Sequence, residues 1–192
     1  ESLESPWRAG EEARMRGSVV HRLLAEIGHR GMAWWTRCSD RQRSTLVLRV
    51  LRRLGRVENE DDVVAATVRA IDGALEDPMG RWLLSPHADA HSEWEITGKI
   101  DGRIETVILD RTFLDGDGTR WIIDYKSAVH EGAGVDAFLD AQLRLHSAQL
   151  QRYSVMMKAY DARPQRLLLY FPILQAWREL LEPDQGALPP SS

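Results

Sequence analysis

The stretch RIETVILDRTFLDGDGTRWIIDYKS, residues 103–127, decides the fold, because two apolar segments flank a turn signal. Residues 103–114 and 119–127 have strand character, and DGDG at 115–118 is typical of a tight turn. The two segments are therefore predicted to pair as a β-hairpin. With a turn centred near Gly116 and Asp117, Asp110 falls opposite Asp124, or one position away from it.

Two carboxylates at this register are unfavourable in a plain sheet, since side chains on directly opposite residues lie about 5 Å apart and like charges there destabilise pairing. A divalent cation between them reverses the sign of the interaction, and oxygen ligands suit Mg²⁺ or Mn²⁺. Lys126 lies two residues after Asp124 and shares its face, because strands alternate with period two. The backbone carbonyl of Tyr125 lies between the two side chains and is a candidate further ligand.

Two acids, a lysine and a metal form a set suited to phosphodiester hydrolysis. The alternative is that Asp124 and Lys126 form a surface ion pair, which would contribute little to stability.

Outside the hairpin, the spacing of apolar residues changes along the chain from helical to strand-like and back. We expect one domain over residues 1–184, with a helical part over 11–84, a catalytic core over 91–175 and a flexible tail over 185–192. The pattern predicts helices from Glu12 to a break at Gly28 and Gly31, over 42–54 and over 61–75 or 61–84, a strand over 91–100, a helix over 136–160 and a strand over 166–173.

Polar residues at helical spacing provide further candidates. His21 follows Gly17 by four residues on the first predicted helix, and Gln149 and Tyr153 share one face of the long helix. His146 extends that face. A polar and aromatic stripe on an otherwise apolar helix predicts a face turned toward a site; the alternative is a stripe turned toward solvent.

These motifs together resemble a known family. G-x-x-x-H at 17–21, an acid at Asp110, D-Y-K-S at 124–127 and Q-x-x-x-Y at 149–153, in that order, resemble the RecB-like branch of the PD-(D/E)XK nucleases. More narrowly, they resemble the C-terminal nuclease domains of AddA- and RecB-type helicase–nucleases. The resemblance implies an α/β fold with a mixed β-sheet flanked by helices. Its restriction-endonuclease-like core has the order α-β-β-β-α-β, here with an extra N-terminal helical region.

The resemblance also implies a role for each matching residue. Asp110, Asp124 and Lys126 would be catalytic. The metal ligands would be His21, Asp110, Asp124 and the Tyr125 backbone carbonyl, with Mg²⁺ as the metal and Mn²⁺ as a substitute.

Accessory positions follow from the same resemblance. Gln149 and Tyr153, with His146 on their face, would hold the site and its DNA. Glu93 or Glu95 would supply an accessory acid on the first strand; regular alternation puts both on one face, so the choice between them stays open.

The implied activity is metal-dependent cleavage of DNA, with single strands favoured and delivered by a linked helicase during double-strand break repair. The alternative is a catalytically silent module that binds DNA or protein. Some relatives hold an iron–sulfur cluster with four cysteines, and none is expected here, because Cys38 is the single cysteine. The sequence contains no P-loop motif, and with the chain beginning at Glu1 we expect the motor elsewhere in a longer polypeptide or complex.

Charge is distributed unevenly. The formal net charge is −4, yet residues 14–56 hold eleven arginines against two acids. Arg14, Arg16 and Arg22 are candidate phosphate contacts, since the guanidinium fork suits phosphate; a solvated helical face is the alternative. No apolar run approaches the roughly 20 residues of a membrane span. The single cysteine fits a reducing cytoplasm, and no membrane partner is expected.

Overall fold

A computed structural model describes residues 6–100, 102–130 and 132–181 of the chain. Within this part, helices come first and a sheet follows. The helices before the sheet are α1 Pro6–Arg30, α2 Ala33–Thr36, α3 Asp40–Leu54, α4 Glu60–Glu76 and α5 Pro78–Leu84. The remaining elements are β1 Ala88–Ile100, β2 Arg103–Leu114, β3 Arg120–Tyr125, α6 Val135–Tyr160, β4 Gln165–Phe171 and β5 Ala176–Leu180.

The strands form one mixed sheet in the order β1-β2-β3-β4-β5. β3 and β4 are parallel, and the other neighbouring pairs are antiparallel. The helix α6 connects the parallel pair, as such a crossover requires. The predicted α/β fold with a mixed sheet and a helical N-terminal region is therefore confirmed.

The hairpin between β2 and β3 has the predicted register. Arg111 pairs with Ile123 in the last aligned pair, so one further step along both strands brings Asp110 level with Asp124. In the turn, the carboxylate of Asp115 accepts hydrogen bonds from the backbone N–H groups of Asp117 and Thr119, at 3.0 and 2.9 Å.

Each face of the sheet has its own apolar core. The helices α1–α5 pack on one face against Phe113, Ile123 and Tyr125. Helix α6 packs on the other face against Ile122 and neighbouring residues of β4. Because successive side chains of β3 alternate between the faces, Tyr125 lies beneath α1, whereas Asp124 lies beneath α6.

Two helix boundaries differ from the predictions. Helix α1 continues through Gly28 and ends at Arg30, before Gly31 at φ 83°. Gly28 lies inside the helix beside a buried side chain, since a Cβ there would lie 2.7 Å from Nη1 of Arg111. Of the two lengths proposed for the third helix, the shorter one is correct. A new helix, α5, starts at Pro78, and its cap Asp77 accepts a hydrogen bond from Gly80 N at 2.9 Å.

The sequence interpretation also missed α2 and β5. In β5, the adjacent charged residues Arg178 and Glu179 interrupt the alternation of apolar and polar residues from which a strand is predicted. Both residues take part in ion pairs. Arg178 binds Asp136 and Asp140 of α6, and Glu179 binds Arg166 of β4. The predicted tail over 185–192 lies outside the described residues. No helix in the described part of the chain is long and apolar enough to cross a membrane.

Candidate active site

Asp124 lies at the centre of a polar cluster near the end of β3. It is only 3% exposed. The ammonium Nζ of Lys126 lies 2.7 Å from its Oδ2 atom. The two residues share the α6 side of the strand, as the period-two spacing predicted. Their side chains are largely buried, with 4% exposure for Asp124 and 17% for Lys126. The alternative of an ion pair on the surface therefore does not describe them.

Gln149 of α6 holds this pair in place. Its Oε1 accepts a hydrogen bond from Lys126 Nζ at 3.0 Å, and its Nε2 donates to Asp124 Oδ1 at 3.2 Å. The same Nε2 donates to the hydroxyl of Tyr153 at 2.6 Å, and that hydroxyl lies 3.5 Å from Asp124 Oδ1. The polar stripe of α6 therefore faces the cluster and not the solvent.

His146 extends the stripe as predicted. Partial burial lowers its pKa, and the nearby charge of Lys126 lowers it further, against a hydrogen bond with Gln149. His146 therefore lies beside the lysine and belongs to the surroundings of the cluster.

Asp110 joins the cluster from β2. Its Oδ2 accepts a hydrogen bond from the backbone N–H of Tyr125 at 2.7 Å. His21 of α1 lies beside the same oxygen, with 3.5 Å between Nδ1 and Oδ2. The rings of His21 and Tyr125 meet edge to face, with centroids 5.9 Å apart. Residues from α1, β2, β3 and α6 thus converge on one place.

The two carboxylates repel each other in this setting. Burial raises the pKa of Asp124, and the charge of Asp110 raises it further, although Lys126 opposes both effects. For His21, burial lowers the pKa, but the hydrogen bond and charge of Asp110 outweigh burial and raise it. Burial, together with the charge of Asp124, raises the pKa of Tyr153 to about 12. The charge of a neighbouring carboxylate therefore acts on the pKa of all three groups in the direction that favours the protonated form.

A divalent metal ion suits the oxygen donors of this cluster. Among the described residues, no three His, Cys, Asp or Glu side chains meet as a ready-made metal cluster. Magnesium does not need one, because it binds through one or two carboxylates and completes its shell with water and substrate phosphate. Burial and then the charge of Asp110 raise the pKa of Asp124, and a cation between the two carboxylates would oppose the second of these effects.

The Tyr125 carbonyl also points in a suitable direction. The backbone N–H of Lys126 donates to Tyr170 O of β4 at 2.8 Å. In a trans peptide the carbonyl points opposite to the N–H that follows it. The Tyr125 carbonyl therefore points away from β4 and toward the side of β3 on which Asp110 lies.

Strand β1 is irregular at Glu93. The side chain of Ser92 accepts a hydrogen bond from Arg111 on the α1 side, whereas Trp94 packs with Ile96 on the α6 side. In a regular strand, Ser92 and Trp94 would point to the same side. Glu93 between them has φ 47°. The regular alternation assumed for this strand is therefore interrupted at Glu93.

The structure brings Glu93, and not Glu95, to the candidate site. The pairs that flank Glu93 place it across from Asp110. Glu93 also lines an open cleft of about 520 Å³ together with His21. Glu95 instead pairs with Ile108, two residues before Asp110 on β2.

The three candidate phosphate-binding arginines separate into two groups. Arg14 and Arg22 line the cleft that contains His21 and Glu93. Arg16 points elsewhere and lines a second cleft with Arg69 and Gln175.

Ser127 is a residue of the site to which the sequence interpretation gave no role. It lines the cleft beside His21, and its hydroxyl lies against α1 at Gly17. A Cβ on Gly17 would lie 2.3 Å from Ser127 Oγ. The spacing of Gly17 and His21 could have indicated this contact. A glycine one helical turn before a candidate ligand suggests that another segment of the chain approaches the helix closely there.

Arg111 is the other residue that the sequence interpretation missed. Its guanidinium is 2% exposed. It donates hydrogen bonds to Leu83 O, Ser85 O and Ser92 Oγ at 3.2, 3.2 and 3.0 Å, and to Gly28 O at 3.4 Å. Arg111 therefore joins α1, α5 and β1 to β2 at the residue next to Asp110.

The mixed sheet, with acids and a lysine gathered where β2 and β3 part, defines a nuclease-type α/β domain. The family model of the PD-(D/E)XK nuclease superfamily matches residues 2–184, and the chain belongs to that superfamily. Comparison with curated proteins gives no match. Membership in the superfamily makes the protein a nuclease, which hydrolyses phosphodiester bonds; DNA is the substrate and divalent metal ions the cofactor that this family implies.

Proposed function

We propose that this domain cleaves DNA with Mg²⁺, or with Mn²⁺ in its place, at the cluster of Asp110, Asp124 and Lys126. The observation that carries the proposal is the buried Asp124–Lys126 pair, which Gln149 bridges and which lies level with a second carboxylate. The charge of Asp110 acts against ionisation of the buried Asp124, and a cation between the two carboxylates would remove this repulsion.

Asp110, Asp124, the Tyr125 carbonyl and His21 would hold the metal. When bound, it supplies Lewis acidity that polarises the scissile phosphate and acidifies a water. The side chains around it have separate tasks. His21 and the Tyr125 N–H orient Asp110, and Gln149 and Tyr153 orient Asp124.

Lys126 acts on the substrate. Its ammonium is held near the carboxylates by Gln149 and Asp124, so it has a fixed position before the substrate arrives. From there it positions the attacking water or stabilises negative charge that develops on the phosphate. His146 lies near enough to Lys126 for the charge of the lysine to lower its pKa, and Glu93 lines the cleft beside His21.

We further infer that the substrate is single-stranded DNA, that a helicase in the same polypeptide or complex delivers it, and that the reaction serves double-strand break repair in the cytoplasm. The motif order that resembles RecB-type helicase–nucleases supports this inference. The open cleft with Arg14 and Arg22 beside His21 is basic at its rim, as a strand-binding cleft should be.

The test uses end-labelled single-stranded DNA with Mg²⁺, with Mn²⁺ and with EDTA. The wild type is compared with Lys126→Ala, and Lys99→Ala on exposed β1 is the matched control. We expect cleavage that needs metal and Lys126 but not Lys99. Full activity of Lys126→Ala would show that the site is wrong. DNA binding without cleavage and without Mn²⁺ binding would instead favour a catalytically silent module.

A further inference from the structure

Helix α3 and the adjoining face of α1 carry arginines that form no ion pair within the described part of the chain. Three other arginines of this region do form ion pairs: Arg30 with Glu26, Arg43 with Asp72 and Arg52 with Glu60. On α1 and α3, five exposed arginines have no ion-pair partner among the described residues, namely Arg14, Arg22, Arg41, Arg49 and Arg53.

Three of these form a stripe along α3, which we call the arginine stripe: Arg41, Arg49 and Arg53. Their spacing of eight and four residues places them on one row of i, i+4 neighbours, which turns by about 120° around the helix from Arg41 to Arg53. Arg49, in the middle of the row, points directly away from the buried Val47 and Leu51. From Arg41 to Arg53 the helix rises about 18 Å, a length that spans several backbone phosphates of a nucleic acid.

The arginine stripe leads to the cleft beside the candidate site, which His21, Glu93 and Ser127 line and which we call the active-site cleft. Leu54, the residue after Arg53, lines this cleft together with Arg14, Arg22 and His21. Positive charge therefore continues from the outer surface of α3 to the rim of the cleft. Among the residues that line the cleft, Glu93 alone is acidic.

Repulsion within the arginine stripe is unfavourable for the isolated helix, although Arg53 lies in the last turn, where the helix dipole favours a basic residue. Like charges four residues apart, as at Arg49 and Arg53, destabilise a helix. The surplus of arginines in this region does not make the whole protein basic either, because the formal net charge of the chain is −4. A concentrated basic surface on an acidic protein is suited to a polyanion.

We propose that the arginine stripe binds the sugar–phosphate backbone of the DNA strand outside the active-site cleft. The strand lies along α3 and enters the cleft at Leu54. This rests on the proposed function for the identity of the polyanion. The stripe contributes affinity for long strands and takes no part in the chemistry.

The experiment measures binding of a fluorescein-labelled 20-residue oligothymidylate to the full chain in EDTA, so that cleavage does not interfere. Anisotropy gives the binding constant over a range of NaCl concentrations. The variant is Arg49→Gln with Arg53→Gln. The matched control is Arg81→Gln with Arg103→Gln, which removes the same charge at two exposed arginines outside the stripe.

We expect the slope of log K against log salt to become shallower by about 1.4 in the stripe variant, at about 0.7 per phosphate contact. The slope of the control stays at the wild-type value. Equal slopes in all three proteins, or an equal decrease in the control, would overturn the proposal. So would wild-type binding that polyglutamate displaces as readily as unlabelled DNA, since the stripe would then fit an acidic protein.

Cleavage assays in Mg²⁺ separate this proposal from the proposed function. With a 20-residue strand, the stripe variant should show a raised KM and an unchanged kcat. With a tetranucleotide, both constants should match the wild type. A chain that cleaves nothing would contradict the proposed function, yet the salt slopes would still decide whether the stripe binds DNA.

Discussion

Gly17 of α1 and Ser127 beyond β3 approach so closely that a Cβ on Gly17 would lie 2.3 Å from Ser127 Oγ. One helical turn after Gly17, His21 lies 3.5 Å from the carboxylate of Asp110. Ser127 follows Lys126 directly. The contact between Gly17 and Ser127 therefore sets how near α1 lies to both the lysine and the carboxylate.

Gly17→Ala should impair cleavage at least tenfold while changing stability little. The added methyl group must push Ser127 or α1 away, which separates His21 from Asp110. Alanine also favours the helix by about 1 kcal/mol relative to glycine, and this gain opposes the cost of the clash. Steady-state kinetics and thermal unfolding of the same samples test both parts.

The matched control is Gly10→Ala, because a Cβ at Gly10 of the same helix meets nothing within 4 Å. It should retain wild-type activity. Ser127→Ala should partly restore the activity of Gly17→Ala, since it removes the hydroxyl that the new methyl group meets. A Gly17→Ala enzyme with normal kinetics would show that the contact does not position α1.

Tyr153→Phe should reduce activity only several-fold, whereas Asp124→Ala should abolish it. The Tyr153 hydroxyl lies 3.5 Å from Asp124 Oδ1, at the limit of a hydrogen bond, and Gln149 still donates to that oxygen at 3.2 Å. The control is Tyr160→Phe, which removes an exposed hydroxyl that donates to Thr97 O elsewhere on α6. Initial cleavage rates provide the comparison, and equal losses in Tyr153→Phe and Asp124→Ala would contradict it.

The features predicted from the sequence are those set by local chemistry. The turn residues and the strand pattern fix the register of β2 and β3, and the spacing of Gln149 and Tyr153 fixes their shared face. The irregular backbone at Glu93 and the burial of Arg111 depend on contacts with residues far away in the chain. No periodic pattern shows such contacts, because a buried arginine has the same sequence signature as an exposed one.

Arg111→Gln should destabilise the protein by at least about 2 kcal/mol, since hydrogen bonds from a charged donor are worth about 1.5–3 kcal/mol each and buried carbonyls would lose their donors. Arg111→Lys should recover only part of this loss, because an ammonium cannot match the planar fork. Urea unfolding measures the effect, and exposed Arg103→Gln is the control. An unfolding free energy within 0.5 kcal/mol of wild type, about the range of neutral surface changes, would contradict a joining role for Arg111.

Arg120 links folding stability to pH at the opposite end of β3. Its guanidinium is 2% exposed and donates to Asp161 Oδ2 from Nε and Nη2, at 3.0 and 2.9 Å. It also binds the side chain of Asp89. Burial alone would raise the pKa of Asp161, but hydrogen bonds from the Arg163 backbone and from Arg120 outweigh burial and lower it. The hydrogen bond from Arg120 likewise lowers the pKa of Asp89.

The sign of the pH effect follows from these lowered values. A carboxylate whose pKa is lower in the folded state than in the unfolded state stabilises the fold above its unfolded pKa, about 3.9. That contribution decreases as the pH falls through the folded value. The stability difference between wild type and Asp161→Asn should therefore be constant near pH 6 and should shrink below about pH 4. Urea unfolding from pH 3 to pH 7 measures it, and a difference that stays constant down to pH 3 would show that the Arg120–Asp161 contact does not favour the charged carboxylate.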